Sequence, residues 1–131
     1  MLIDSIRAAK RVYIIGNGGS FANAAHIAND LLSCGIRAYT LDSATLTAFA
    51  NDYGYETVFA RWLKAVGEEG DLLIALSGSG KSPNILEGIA QAERMGMTVH
   101  TIFGAPTLGM QKAEELQIEI GHELMRALKC A

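Results

Sequence analysis

The sequence predicts an α/β fold of the Rossmann-like (flavodoxin-like) type, a five-stranded parallel sheet with helices on both faces. Three observations carry this. Short apolar runs alternate with stretches of helical period, the pattern of right-handed crossovers and a parallel sheet. One run, DLLIAL at Asp71–Leu76, is nearly continuously apolar, as in strands buried on both faces. Two glycine- and serine-rich segments, Gly16–Ser20 and Ser77–Ser82, each follow a predicted strand, and in open α/β sheets ligands bind beyond the carboxyl ends of the strands.

The elements follow in order. Val12–Ile15 is a short apolar strand that stops at Gly16, and a helical pattern runs from about Phe21 to Leu32 before Ser33–Gly35 halts it. Ile36–Leu41 reads as a second strand. Tyr55–Val66 is amphipathic, with Val58, Phe59, Trp62, Leu63 and Val66 at helical spacing. Asp71–Leu76 is the third strand. Ser82 then reads as an N-cap and Pro83 as the first residue of a helix that runs to about Met95. Met97–Phe103 is a fourth strand, Leu116–Ile120 a fifth, and a short helix closes the chain from about Gly121.

The 131 residues suit one domain with a real core. A net charge of −3 without any block of like charge speaks against a nucleic-acid partner. No apolar run reaches the roughly 18–20 residues of a membrane span. The opening MLIDSIRAAK is too short and charged for a signal peptide. The two cysteines, Cys34 and Cys130, form no metal-type motif, and they fit a reducing cytoplasm as free, small apolar residues.

Four segments can carry chemistry. GNGGS at Gly16–Ser20 lets the backbone turn sharply and opens a helix whose free N–H groups suit an anion. It is not a dinucleotide fingerprint, because Phe21 stands where the third glycine belongs, and alone it also reads as a plain turn. The segment ending GKS resembles a nucleotide-binding P-loop, but Ala75 occupies the position of the first glycine. What remains is a cradle of hydroxyls from Ser77, Ser79 and Ser82 with glycine N–H groups, or simply a turn of small residues. His26 and Asp30 lie four apart on one helix face and could bind a metal, pass protons, or pair with each other at the surface. Asn51 and Asp52, just before the amphipathic helix, could cap it or bind sugar hydroxyls.

Taken together and in this order, these segments resemble the sugar isomerase (SIS) domain family, in its phosphoheptose isomerase branch. The resemblance rests on GNGGSFANAAHIANDL at 16–31, on residues 51–89 from NDYGY through SGSGKSPN, and more loosely on GMTVHTIFG at 96–104. It implies a phosphorylated-sugar substrate, sedoheptulose 7-phosphate, converted to a heptose 7-phosphate. It implies substrate contacts from Asn17, Gly18, Gly19 and Ser20, from Asn51 and Asp52, and from Ser77, Gly78, Ser79 and Ser82. It makes His26 a zinc ligand, and Asp30 stands where the isomerase has a glutamate that binds zinc and acts as the base. It also implies a homo-oligomer, dimer or tetramer.

The departures are specific. Asp30 is one methylene shorter than that glutamate. The family's C-terminal helix carries a glutamine and, eight residues later, a histidine, and no such spacing of Gln and His occurs here. His122 can stand in for the histidine, whereas Gln117 falls in the predicted fifth strand. The family's long N-terminal helix corresponds only to about Met1–Lys10. A sugar-phosphate isomerase is therefore the first expectation. A non-catalytic sugar-phosphate-binding or protein-interaction SIS module is the second, since family members also serve as sensors and one branch binds the bacterial replication initiator.

Overall fold

All four residues of the first strand, β1 (Val12–Ile15), are buried, and the rest of the fold is arranged around it. The structure, a computed structural model, describes residues 1–104 and 109–128. Helix α1 (Leu2–Ala8) precedes β1, and α2 (Gly19–Ser33) and β2 (Ala38–Tyr39) follow it. Next come α3 (Ser43–Tyr53), a 3-10 turn at Tyr55–Thr57, and α4 (Val58–Val66). The chain continues through β3 (Leu72–Ser77), α5 (Pro83–Arg94), β4 (Thr98–Phe103) and α6 (Met110–Leu128).

Among the described residues the sheet is parallel, with four strands in the order β2-β1-β3-β4. Val12 pairs with Ala38 on one side and Leu72 on the other, and Leu72 in turn pairs with Thr98. Alternate residues of the central strands feed opposite faces, as the pleat requires. Ile14, Ile74 and Leu76 pack with Ile6 of α1, Ile27 and Leu31 of α2 and Leu124 of α6. Tyr13, Ile15, Leu73 and Ala75 pack with Phe59, Trp62 and Leu63 of α4 and Ile85 and Ala92 of α5. Both faces are thus covered, as the continuous apolar runs imply. No helix among the described residues is long and apolar enough to cross a membrane.

Four features of the fold differ from the sequence reading. Leu116–Ile120 is not a fifth strand but the middle of α6. The alternation of Leu116, Ile118 and Ile120 imitates a strand, but the buried residues Ala113, Gln117, Gly121 and Leu124 follow the helical period. The second strand shrinks from six residues to Ala38–Tyr39 at the sheet edge. Helix α2 begins at Gly19 rather than Phe21, so Gly19 and Ser20 belong to its first turn. Helix α3 was not expected at all, although Asp42 caps it by accepting from the Thr45 backbone N–H at 3.1 Å. The expectation for Cys130 lies outside the described residues.

Candidate active site

The carboxyl ends of β1 and β3 lie side by side at the centre of the sheet. From β1 the chain crosses to β2 on one side; from β3 it crosses to β4 on the other. That reversal of direction opens a crevice at the strand ends, the usual ligand site of such sheets. Asn17–Gly18 leads from β1 into α2, and Gly18 holds φ +56°, a conformation that favours glycine. Ser77–Ser82 leads from β3 into α5.

The serine loop is internally braced. The Gly80 N–H donates to Ser77 Oγ at 3.0 Å, and the Lys81 N–H donates to Ser79 Oγ at 3.1 Å. Ser82 sits at the N-cap of α5, but its hydroxyl makes no cap bond, which leaves it for a ligand together with the first N–H groups of the helix. Asn17, Ser20, Ser77, Gly78, Ser79 and Ser82 converge on a cavity of about 50 Å³, closed by Leu76 and Met110. Hydroxyls, amide groups and two helix N-termini thus face a space for a small anion.

Asn17 is held from two directions. Its side-chain amide pairs reciprocally with that of Asn84, with both N–H···O distances 2.8 Å, and the Tyr55 hydroxyl donates to Asn17 Oδ1 at 2.7 Å. Asn84 is buried. A more open cavity of about 310 Å³ adjoins, lined by Asn17, Tyr55, Glu56, Ser82, Pro83 and Asn84.

Helix α6 runs alongside α2 and carries further polar groups toward it. Gln117, 1% exposed, donates to Ser20 Oγ at 3.0 Å and accepts from Asn23 Nδ2 at 2.8 Å. The Glu114 carboxylate lies over Gly19, in the space that a side chain there would take, so a larger residue would displace it. Gly121 lets Ile27 approach the α6 backbone, since a Cβ there would lie 2.8 Å from Ile27 Cγ1. This close approach sets His122 beside His26, with ring centroids 5.7 Å apart and an interplanar angle of 69°. Asp30 Oδ2 lies 3.2 Å from His26 Nε2. Donor atoms of His26, Asp30 and His122 all fall within 4.8 Å of one another, and the cluster opens to solvent.

Among the expected site residues, the serine loop, Asn17 and Ser20 therefore converge, and His26, Asp30 and His122 form a second group. Gly18 and Gly19 frame the start of α2. Asn51 and Asp52 do not line the anion cavity: they are exposed in the last turn of α3, where Asn51 Nδ2 donates to Asp52 Oδ1 at 3.1 Å. The expectation of a cap for the following helix fails with them. Tyr55, Asn84, Glu114 and Gln117 were not expected at the site. Asn84 carried a legible signal, a polar residue directly after the Ser-Pro helix start. Gln117 was hidden by the false strand.

The SIS domain family model matches residues 1–104. A phosphoheptose isomerase of Campylobacter concisus is 40% identical over 130 residues, covering 92% of this chain and 68% of that protein. One from Burkholderia pseudomallei is 42% identical, covering 90% of this chain and 64% of that protein. The solved phosphoheptose isomerase of Neisseria gonorrhoeae superposes with a TM-score of 0.90 at 26% identity, covering 99% of this chain and 82% of that one. That of Francisella tularensis gives 0.88 at 28% identity, with 97% and 82% covered. By sequence and by fold, the chain belongs to the SIS domain family, in the branch of the phosphoheptose isomerases.

Proposed function

We propose that this chain acts as one SIS domain and as a sugar-phosphate aldose–ketose isomerase, converting sedoheptulose 7-phosphate to a heptose 7-phosphate. The observation that carries this reading is the pairing of an anion cavity at the start of α2 with a cluster of His26, Asp30 and His122 further along the same helix and its neighbour. Ser20 and His26 are separated by about 9 Å of helical rise. A phosphate held at the serine loop therefore leaves the sugar chain to extend toward the histidines.

The donor set fits a divalent metal such as zinc. Imidazole nitrogen and carboxylate oxygen are its ordinary ligands, and three protein ligands with an open position is the usual catalytic arrangement. The 3.2 Å between Asp30 Oδ2 and His26 Nε2 is close to the spacing of two ligands on one tetrahedral ion, roughly 3.3 Å for bonds of about 2.0–2.1 Å. Bound there, zinc supplies a Lewis acid for the substrate carbonyl.

The chain's own groups do the rest. Ser77, Ser79 and Ser82, with the N-termini of α2 and α5, bind and orient the phosphate. Asp30 takes the proton from the carbon beside the carbonyl as the carbonyl oxygen takes one up from solvent, giving an enediol; His122 gives a proton to the neighbouring carbon as the enediol's other hydroxyl releases its own, and solvent then takes the proton from Asp30 and restores the one on His122. The expected dimer or tetramer belongs to this proposal and is read by light scattering. Of the stripe Val58, Phe59, Trp62 and Val66, only Val66 is exposed and available to a second copy, since the other three are buried within the chain's own core.

The experiment incubates the protein with sedoheptulose 7-phosphate and follows formation of the aldose. Conversion that Asp30→Asn abolishes, with phosphate binding retained, supports the reading. Binding without conversion points instead to a non-catalytic sugar-phosphate module.

A further inference from the structure

Asn17 lines both cavities at the strand ends, and its side-chain amide has little freedom. An amide oxygen has two lone pairs, and here one accepts from Asn84 Nδ2 and the other from the Tyr55 hydroxyl. One amide N–H is used on Asn84 Oδ1. The oxygen is therefore saturated within the protein, and the second N–H is the group left to offer a ligand. Asn84 is 2% exposed, on the first turn of α5, so its amide is fixed by packing as well as by the pair. Tyr55 follows Gly54, just beyond α3, and spans from that segment back to the strand ends.

The two partners differ in what they enforce. The reciprocal pair with Asn84 alone tolerates a flip, since both amides could turn together and keep two bonds. The Tyr55 hydroxyl, donating to oxygen, selects the orientation that leaves an N–H over. A donor suits a phosphate oxygen, and an acceptor in its place would repel one. We propose that Tyr55 and Asn84 are positioning residues that lock the Asn17 amide as a hydrogen-bond donor toward an anionic ligand in the cavity of the serine loop. This rests on the sugar-phosphate reading above.

The test is a double-mutant cycle read by calorimetric titration of the full chain with sedoheptulose 7-phosphate and, separately, inorganic phosphate. Tyr55→Phe keeps the ring and removes only the hydroxyl. It is expected to weaken binding of both probes about tenfold, with the melting temperature unchanged. In an Asn17→Ala background the same substitution is expected to change nothing, because Tyr55 acts through Asn17. Asn84→Asp keeps the shape but cannot donate to Asn17 Oδ1, and it too is expected to weaken both probes. A Tyr55→Phe variant that binds like the wild type overturns the proposal and leaves the sugar-phosphate reading standing. So does a loss that persists in the Asn17→Ala background, which makes Tyr55 a direct contact. A wild-type protein that binds neither probe overturns both.

Discussion

His26 and His122 stand edge to face, with ring centroids 5.7 Å apart, on helices from opposite ends of the chain. With Asp30 they make a donor set that no local stretch of sequence contains. Purified protein is expected to carry near-stoichiometric divalent metal by elemental analysis. His26→Ala and His122→Ala are each expected to strip it and to abolish isomerisation, while phosphate binding survives. Metal retained at wild-type level after loss of His26 removes that residue from the site.

Gly121 sets the spacing of α2 and α6. A Cβ there would press on Ile27 Cγ1 at 2.8 Å, and the side chain of Gly121→Val cannot be accommodated without moving α6 outward. Overpacking of this kind costs about 1–3 kcal/mol. Urea denaturation is expected to show that loss, and metal affinity is expected to fall with it because His122 moves away from His26.

The buried amide of Gln117 joins Ser20 and Asn23 of α2 to α6. Gln117→Leu keeps the bulk but leaves the Ser20 hydroxyl without its donor. The expected loss is about 1–3 kcal/mol of stability, read by chemical denaturation. A variant as stable as the wild type would show that these bonds contribute nothing net.

Ser79 and Ser82 are expected to hold the ligand phosphate. Ser79→Ala and Ser82→Ala should each weaken sugar-phosphate binding by about 1.5–3 kcal/mol, the range for a hydrogen bond to a charged group. Unchanged affinity in both, measured by titration calorimetry, would place the phosphate elsewhere.

Burial pushes the Tyr13 phenol above its ordinary range, with the nearby Asp71 carboxylate adding to the shift, and its hydroxyl donates to the Val66 carbonyl at 3.0 Å. A pKa raised by folding means that the folded state holds the proton more tightly. The contribution is therefore complete below the ordinary tyrosine pKa of about 10 and is lost as pH rises through the higher folded value. Melting temperature should fall on that alkaline limb in the wild type and fall less in Tyr13→Phe.

The sequence by itself determined the parts of this protein that depend on local pattern. Asp71–Leu76 read as a strand buried on both faces, and Ser82–Pro83 as a helix start. The serine loop read as a candidate cradle, or as a turn of small residues, because its hydroxyls and glycines are neighbours in the chain. His26 and Asp30 could be placed on one helix face for the same reason, since four residues make one turn.

Only the tertiary structure decided the rest. The segment around Leu116–Ile120 offers both an alternating and a helical pattern, and its packing against Ile27 through Gly121 selects the helix. That choice carries His122 to His26 and buries Gln117 against Ser20. Asn51 and Asp52, which the resemblance makes substrate contacts, lie exposed in the last turn of α3 and outside the lining of the anion cavity. Tyr55 reaches Asn17 because its 3-10 turn packs against α5, whose Asn84 pairs with Asn17. Periodicity records which face of a segment is apolar. It does not record which other segment covers that face, because that depends on shape and volume contributed by residues far away in the chain.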